Sequence, residues 1–238
     1  EDELHKEGIQ TQFVNVDGIT RINVFTQVVS TSEEFKLVNQ GPSVSQLQEE
    51  ALLKIIENMN TEDFLFVSGS HPEGITYTTY EKIAKTAQLR GFKLILDTSA
   101  EFVPDLLKYR PYLIKPNDEE LAEWFGLINP SLEEIKDCGQ KLLEKGAENV
   151  LVSLGEKGAI LFTPTETIHV TAPKGEVVNT ACAGDTLLAT FVGSQLLGLS
   201  DEQALIKAVA AGSSTAFRPG LTDFSDVPTL MQQIKRIL

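Results

Sequence analysis

The first part of the chain carries apolar residues in short runs typical of β-strands. The predicted strands are residues 13–16, 22–29 and 35–39. Turn-forming Ser30, Thr31 and Ser32, followed by Glu33, separate the last two runs, and Gly41-Pro42 ends the section. Because no clear alternation of strand and helix has yet begun, these runs predict a small antiparallel sheet apart from the main body.

From residue 43 onward, apolar positions with helical spacing alternate with short, continuously apolar runs. Capping boxes mark helix starts at Ser45, Ser131 and Ser200, and further helices are predicted at 118–125, from the turn 181–184 through Leu197, and from about Val227 to the end. Tyr80, Ile83, Ala84 and Ala87 share one face of another helix, which Gly91 suits as a C-terminal cap.

The apolar runs between these helices predict six strands. They lie at residues 64–67, 92–96, 112–114, 150–153, 159–162 and 167–170, with the last two forming a hairpin around Thr163-Pro164. Short apolar strands that alternate with amphipathic helices indicate a parallel sheet covered on both faces. The pattern therefore predicts an α/β body formed by residues 1–12 and 43–238, with residues 13–42 as a separate group of strands.

Composition narrows the class of protein. The chain has 238 residues, of which 42% are hydrophobic, which is enough for a large core. No apolar run reaches the roughly 18 residues of a membrane helix, and the polar start EDELHKEGIQ lacks the apolar stretch of a secretory signal. A soluble, cytoplasmic protein without a membrane partner is expected. The net charge of -14 disfavours nucleic acid as a partner but leaves an anionic small molecule open.

Cysteine and histidine residues indicate no metal cluster. Cys138 and Cys182 are far apart and form no CxxC pair, which favours two reduced thiols. The three histidines at positions 5, 71 and 169 are scattered, outside any HExxH or triad-like context. A mechanism based on histidine therefore has little support.

The segment GEVVNTACAGDTLLATFVG, residues 175–193, is the most informative in the chain. Its small residues at 181–184 lead through Asp185 directly into a helical run. A helix N-terminus presents free backbone N–H groups and the positive end of the helix dipole, so such a turn binds phosphate. Asp185 can take a proton from an attacking hydroxyl beside a bound phosphoryl group, or it can simply cap the helix. The spacing leaves both roles open.

The segment Lys115-Pro116-Asn117-Asp118-Glu119-Glu120 opens a predicted helix with polar groups. Asn117 and Glu120 stand at i and i+3, so an amide and a carboxylate can point at one place and organise Mg²⁺. An asparagine followed by acidic residues is also an ordinary helix N-terminus. The segment taken alone favours that ordinary role.

The segment Ser153-Leu154-Gly155-Glu156-Lys157-Gly158 follows an apolar strand. Its two glycines allow a nucleotide to approach the backbone closely, and they also suit an ordinary turn. The Walker spacing and the GxGxxG pattern are both absent, which excludes a P-loop and counts against a dinucleotide enzyme.

Two strings near the predicted strands carry candidate substrate contacts. Thr20-Arg21-Ile22-Asn23-Val24 contains an arginine that can hold a phosphate group by paired, charge-assisted hydrogen bonds. A lone arginine is more often a solvated surface charge. Ser68-Gly69-Ser70-His71-Pro72 ends the strand predicted at 64–67.

These segments together resemble the ribokinase-like, phosphofructokinase B family of sugar kinases. Cys182-Ala183-Gly184-Asp185 is similar to the family's Gly-Ala-Gly-Asp turn, in which the aspartate is the general base and the amides form an anion hole. The resemblance implies these roles for Asp185 and for the amides of Cys182, Ala183 and Gly184. Cys182 replaces the usual first glycine, and cysteine should be strained there if the position requires a positive φ.

The remaining motifs extend the resemblance to the nucleotide and the metal. Asn117 and Glu120 match the family's Asn-x-x-Glu motif, which implies a Mg²⁺ site, and residues 210–220 match the helix and turn that enclose adenine. The contacts with ATP that the resemblance implies are Lys115, Ser153, Gly155, Gly158, Gly184 and Gly220.

The substrate side resembles one branch of the family. The string around Arg21 looks like that of 1-phosphofructokinases, in which the arginine meets the substrate phosphate, and the string around Ser70 resembles a strand end near the sugar. The resemblance implies substrate contacts from Arg21, Asn23 and Ser70. The family's sugar-binding aspartate and its Gly-Gly-Lys-Gly motif are not in the sequence, so further N-terminal residues that complete the sugar pocket are expected.

The resemblance implies an α/β, ribokinase-like three-layer sandwich with a mainly parallel central sheet and a small β lid. The expected reaction is ATP- and Mg²⁺-dependent phosphorylation of a ketohexose phosphate, with fructose 1-phosphate as first choice and tagatose 6-phosphate as the alternative. Pairing of lid strands between subunits, as in the family, implies a homodimer. A non-catalytic sugar-phosphate or nucleotide-binding protein on this fold is the other hypothesis, motivated by Cys182 and by the missing N-terminal motifs.

Overall fold

The computed structural model describes residues 1–28 and 33–237. These residues form two compact units. The first unit comprises Glu1–Asp63 and Ser70–Phe92, and the second comprises Phe64–Gly69 and Lys93–Leu238. The division predicted from the sequence, a lid of residues 13–42 beside an α/β body, stays a prediction. Of the predicted turn at residues 30–33, residues 30–32 lie outside the described residues.

The described part of the first unit contains two short strands and three helices. In chain order they are α1 (Asp2–Lys6), β1 (Val24–Val28), β2 (Glu33–Leu37), α2 (Gln46–Ile56) and α3 (Tyr77–Arg90). Strands β1 and β2 pair antiparallel, with Val24 opposite Leu37. Helix α2 starts at the predicted capping box of Ser45 and Gln48, and α3 ends at Gly91 in the left-handed conformation (φ 80°). The sequence therefore predicted both helix boundaries from local chemistry.

The strand predicted at residues 13–16 is wrong, because the structure gives this segment no strand pairing. The side chain of Gln48 on α2 donates a hydrogen bond of 2.8 Å to the carbonyl oxygen of Asn15. Phe13 leaves 56% of its surface exposed. A side-chain partner for the backbone thus replaces one of the contacts that a neighbouring strand would make.

The second unit is built on a six-stranded sheet with the order β3-β4-β5-β6-β7-β8. The strands are β3 (Phe64–Ser68), β4 (Lys93–Asp97), β5 (Leu113–Ile114), β6 (Val150–Ser153), β7 (Ala159–Phe162) and β8 (Thr167–Val170). Strands β3 to β6 pair in parallel, whereas β6–β7 and β7–β8 pair antiparallel. The predicted mainly parallel sheet and its final hairpin are confirmed.

Six helices are found among the described residues of the second unit. They are α4 (Val103–Leu106), α5 (Asp118–Phe125), α6 (Leu132–Glu144), α7 (Ala183–Leu196), α8 (Asp201–Ala216) and α9 (Val227–Met231), with 3₁₀ turns at Leu107–Tyr109 and Gly155–Lys157. Helix α9 is shorter than predicted because the chain after it pairs with β8, where the Ile237 amide donates to the His169 carbonyl over 2.7 Å. None of the helices described in either unit is long and apolar enough to cross a membrane.

Helices cover both faces of the sheet, as alternate residues of β7 show. Leu161 belongs to a buried cluster with residues of α7 and α8, such as Leu187 and Leu205. The next residue, Phe162, faces α6, where a Cβ atom on Gly139 would lie 2.3 Å from its ring. Since successive side chains of a strand point to opposite faces, the sheet is the middle of three layers.

Candidate active site

Polar groups gather at the carboxyl edge of three adjacent parallel strands in the second unit. Asp97 ends β4, Lys115 directly follows β5, and Ser153 ends β6. Backbone hydrogen bonds fix their register, since the Lys115 amide donates to Leu96 over 3.0 Å and the Ser153 amide donates to Pro116 over 3.1 Å. Ligands of open α/β sheets bind at this edge.

Lys115 and Asp97 form an ion pair that is largely removed from solvent. The Nζ atom of Lys115 lies 3.0 Å from Oδ1 of Asp97, and the side chains expose only 7% and 13% of their surface. Burial raises the pKa of the Asp97 carboxyl, the Lys115 ammonium opposes that rise, and the charges of Asp185 and Glu120 add to it. Asp97 is thus the centre of a crowded acidic neighbourhood with one cation in contact.

Asn117 and Glu120 form a reciprocal capping box at the start of α5. The Glu120 amide donates to Oδ1 of Asn117 over 2.7 Å, and the Asn117 amide donates to Oε2 of Glu120 over 3.0 Å. The second carboxylate oxygen of Glu120 is not used by this box. Mg²⁺ in nucleotide enzymes is commonly held by one or two carboxylates together with phosphates and waters, so this oxygen donor set fits the metal. The described residues contain no cluster of three or more His, Cys, Asp and Glu side chains that could hold a metal ion through side chains of these types alone.

The start of α7 has the geometry of an anion-binding helix terminus. Cys182 is the N-cap, and Ala183, Gly184 and Asp185 are the first three helical residues. The Ala183 amide makes a long hydrogen bond of 3.3 Å to the carbonyl oxygen of Thr180. The first N–H groups of a helix have no partner within the helix, so this end can bind a phosphate oxygen.

Cys182 occupies the left-handed region of backbone conformation, with φ 62° and ψ 4°. The position thus has the positive φ that favours glycine, so cysteine is strained there, as the sequence led us to expect. Cys182 is exposed, but partial burial raises the pKa of its thiol, and the charge of Asp185 and a hydrogen bond to its carboxylate raise that pKa further. Asp185 is exposed and is the third residue of α7, so it is not the residue that caps the helix.

Lys115 also reaches the turn before Asp185. A Cβ atom on Gly184 would lie 3.3 Å from the Nζ atom of Lys115. The ammonium group therefore lies against the first turn of α7 while it is paired with Asp97. The structure brings two predicted segments, 115–120 and 182–185, into direct contact.

A cavity of about 970 Å³ opens beside these groups. The predicted residues that line it are Lys115, Asn117, Glu120, Ser153, Gly155, Gly158, Ala183 and Gly184. Cys182, Asp185 and Gly220 are described by the structure but are not among its lining residues. Of the segment 210–220, the cavity wall includes Gly212, Ser213, Ala216 and Phe217.

Gly158 shapes the strand-turn-strand wall of this cavity. It has φ 93°, and a Cβ atom there would lie 1.9 Å from the carbonyl oxygen of Val170. No side chain fits at this distance, so the turn from Gly155 to Gly158 depends on glycine at its end. The close approach of this turn to β8 sets one border of the cavity.

Sequence reasoning missed Asp97 and one wall of the cavity. Asp97 could have been singled out as the polar residue that ends a buried strand, because the carboxyl edge of a parallel sheet is where ligands bind. The wall residues 172–174 carried no motif, and Gly175 and Val177 lie in the segment 175–193 but were not singled out as site residues. This wall is completed by Phe217, whose ring would lie 2.3 Å from a Cβ atom on Gly175.

The predicted substrate contacts lie in the first unit, where the structure brings two of them together. An Nη1–H group of Arg21 donates to Oγ of Ser70 over 2.5 Å. Nearby in sequence, the Asn39 side chain donates to the carbonyl oxygen of Ile22 over 2.6 Å. The Oδ1 atom of Asn23 is buried without a hydrogen-bond partner. Arg21 and Ser70 thus form a polar pair, whereas the acceptor oxygen of Asn23 is left unsatisfied.

Comparison with known proteins identifies relatives along almost the whole chain. The pfkB family of carbohydrate kinases matches residues 1–229. A Bacillus licheniformis protein named D-tagatose-1-phosphate kinase is 47% identical over 99% of this chain and 77% of its own length. A Bacillus subtilis protein named 1-phosphofructokinase is 36% identical over 98% of this chain and 76% of its own length.

Solved structures agree with these relatives. Phosphofructokinase-2 of Escherichia coli, in complex with fructose-6-phosphate, superposes with a TM-score of 0.85 at 25% identity and covers 96% of this chain and 75% of its own. The expected ribokinase-like α/β fold is confirmed. With a family match over residues 1–229 and this likeness of fold, the chain belongs to the pfkB family of carbohydrate kinases.

Proposed function

We propose that the protein transfers the γ-phosphoryl group of ATP to a hydroxyl group of a ketohexose 1-phosphate and forms a ketohexose 1,6-bisphosphate. The observation that carries the proposal is the position of the Lys115 ammonium against Gly184, in a cavity that Asn117 and Glu120 also line. A cation, an amide, a carboxylate and a helix N-terminus at one place suit a triphosphate.

The names of two relatives support this class of acceptor. The relative at 47% identity is named for D-tagatose 1-phosphate, and the one at 36% identity is named for a 1-phosphofructokinase. Fructose and tagatose differ only in configuration at C4, so both 1-phosphates present the same phosphate and the same terminal hydroxyl. Fructose 1-phosphate and tagatose 1-phosphate are therefore the acceptors to test first, with tagatose 6-phosphate as the further alternative.

The cavity of the second unit suits ATP. The phosphates would lie along Lys115 and the first turn of α7, and the base would lie toward the apolar wall that includes Val209 and Phe217. Asn117 and Glu120 would hold Mg²⁺ together with waters and phosphate oxygens. When bound, the metal would neutralise phosphate charge during transfer.

Asp185 acts as the general base in this proposal. Its exposed carboxylate takes the proton of the acceptor hydroxyl while the hydroxyl oxygen bonds to the γ-phosphorus. The bond from that phosphorus to the bridging oxygen breaks in line, and ADP leaves. Amides of Cys182, Ala183 and Gly184 stabilise the charge that develops on the transferring group. The place of Asp185 in the first turn of α7, after these amides, supports this role.

Arg21 and Ser70 would bind the phosphate that the sugar already carries. The guanidinium group offers several N–H donors in a fixed fork, which matches phosphate oxygens. The hydrogen bond between Arg21 and Ser70 holds the guanidinium in place before substrate arrives. The unsatisfied Oδ1 atom of Asn23 can accept a hydrogen bond from a hydroxyl group of the sugar.

The test is a coupled ADP-release assay on the full-length protein with Mg-ATP. Fructose 1-phosphate, tagatose 1-phosphate, fructose 6-phosphate and tagatose 6-phosphate are offered in parallel. Asp185→Ala should reduce kcat about a thousandfold or more, within the range for loss of a general base. Asp201→Ala, which removes an acid from the first turn of α8, is the matched control and should keep full turnover.

If every acceptor is inert, the kinase assignment to ketohexose phosphates is overturned. Binding of ATP and a sugar phosphate without ADP release would then favour the non-catalytic alternative. If the Asp185→Ala variant turns over like wild type, Asp185 is not the base.

A further inference from the structure

Asp97 is a charged residue with a largely buried side chain, paired with the cavity-lining Lys115, and no sequence motif singles it out. Its carboxylate contacts the Lys115 ammonium at 3.0 Å, and its own burial raises its pKa. Its backbone is fixed as well, because the Gly69 amide donates to the Asp97 carbonyl over 2.9 Å. The carboxylate is therefore held in a defined place at the end of β4.

Stability alone is a weak reason for such a pair. Taking two charges out of water is expensive, and buried ion pairs are often no better than apolar residues of similar volume. A role in fixing the geometry of Lys115 explains the arrangement better. The same Nζ atom that contacts Asp97 also lies against Gly184, so one ammonium group is held between β4 and the first turn of α7.

We propose that Asp97 is a positioning residue for phosphoryl transfer, which holds the Lys115 ammonium against Gly184 and acts only through Lys115. The inference rests on the proposed function, since Gly184 lies where the transferring group would bind. A lysine side chain has four rotatable carbons, and an ammonium displaced by about 1 Å can lower a rate by about a hundredfold. Asp97 removes that freedom.

A variant that neutralises Asp97 can distinguish a positioning role from a purely structural one, because the two roles predict different changes in ATP binding. Neutralising Asp97 leaves the positive charge of Lys115 in the cavity and removes one negative charge near the phosphates. ATP binding should then stay equal or tighten. The rate of transfer should fall, because the ammonium is no longer fixed where charge develops in the transition state. A general loosening of the site would weaken ATP binding and slow transfer together.

The first measurement compares Asp97→Asn with wild type in the full-length protein. We expect kcat to fall about tenfold or more, the KM for the sugar phosphate to stay within about twofold, and the Kd for ATP from calorimetry without sugar phosphate to stay equal or decrease. Glu202→Gln is the control, because it breaks an exposed pair with Arg236 at 2.8 Å away from the cavity. That variant should match wild type in both readouts.

The second measurement is a double-mutant cycle with Lys115→Met. If Asp97 acts through Lys115, adding Asp97→Asn to Lys115→Met should change kcat by less than about twofold. This step compares the double variant with Lys115→Met, so it does not depend on the folding of Asp97→Asn alone. In the double variant neither charge of the ion pair is left without its partner. Asp97→Glu should recover part of the lost rate by restoring the charge.

Three results would overturn the inference while the kinase assignment stands. They are an unchanged kcat in Asp97→Asn, a large further loss of kcat when Asp97→Asn is added to Lys115→Met, and parallel weakening of ATP binding and kcat. A wild-type protein without turnover on any acceptor would instead overturn the proposed function, so the two failures are distinct.

Discussion

The Nζ atom of Lys115 lies 3.3 Å from the position that a Cβ atom would take on Gly184. The two residues come from different predicted motifs, and only the fold brings them together. Because Lys115 is also paired with Asp97, an added methyl group at residue 184 would shift its ammonium relative to that partner. The contact makes residue 184 a sensitive probe of the site.

Gly184→Ala should separate stability from activity. Alanine is a better helix former, so the free energy of unfolding should rise by about 0.5 kcal/mol or stay unchanged. The methyl group displaces the Lys115 ammonium, and we expect kcat to fall about tenfold. Denaturant unfolding and the ADP-release assay give the two values.

Gly193→Ala is the matched control in the same helix. A Cβ atom on Gly193 would meet nothing within 4 Å. This variant should gain stability without any change in kcat. Equal activity of the two alanine variants would show that the contact between Gly184 and Lys115 is unimportant.

Cys182→Gly should stabilise the protein, because Cys182 has φ 62°. A non-glycine residue in the left-handed region is unfavourable by about 1–2 kcal/mol, and the flexibility of glycine in the unfolded chain offsets about half of that. We expect a net gain of about 0.5–1 kcal/mol in the free energy of unfolding, measured by denaturant titration.

Cys182→Ala separates the backbone from the thiol in that experiment. Alanine keeps the Cβ atom and therefore the strain, so its stability should stay close to that of wild type. A gain in Cys182→Ala as large as that in Cys182→Gly would mean that the thiol, not the backbone conformation, destabilises the turn.

The Cys182 thiol should react slowly at neutral pH. Although the residue is exposed, partial burial raises the pKa of its thiol and the Asp185 carboxylate raises that pKa further, so less of the reactive thiolate is present at a given pH. The midpoint of the alkylation rate against pH should lie above the ordinary thiol value of about 8.5. Iodoacetamide labelling with peptide mass spectrometry measures this separately from buried Cys138.

Asp185→Asn should lower that midpoint without restoring the ordinary value. The substitution removes the negative charge, but the larger effect of burial remains. A midpoint unchanged by Asp185→Asn would contradict the contact between the Cys182 thiol and the Asp185 carboxylate.

Local chemistry in the sequence predicted most of the elements. The capping boxes at Ser45, Ser131 and Ser200 start helices where they were expected, and Gly91 ends another in the left-handed conformation. These signals work because a cap satisfies backbone groups within a few residues. The apolar strands were equally clear, since a sheet buried on both faces requires unbroken apolar runs.

Errors in the prediction arose where a distant segment decided the local structure. Residues 13–16 have the composition of a strand, but the side chain of Gln48 binds the backbone at Asn15 instead. The last helix ends early because Arg236 pairs with Val170 of β8. Periodicity reports which side of a segment is apolar and says nothing about which partner it meets.

The sequence by itself determined the alternation of strands and helices and the motifs that indicate a kinase. The tertiary structure alone decided that Asp97, Lys115 and Gly184 meet at one point. Asp97 ends one strand, Lys115 follows the next, and Gly184 starts a helix much later in the chain. Parallel strands place their carboxyl ends at one edge only after long connections have folded back, and local residue patterns do not encode those distances.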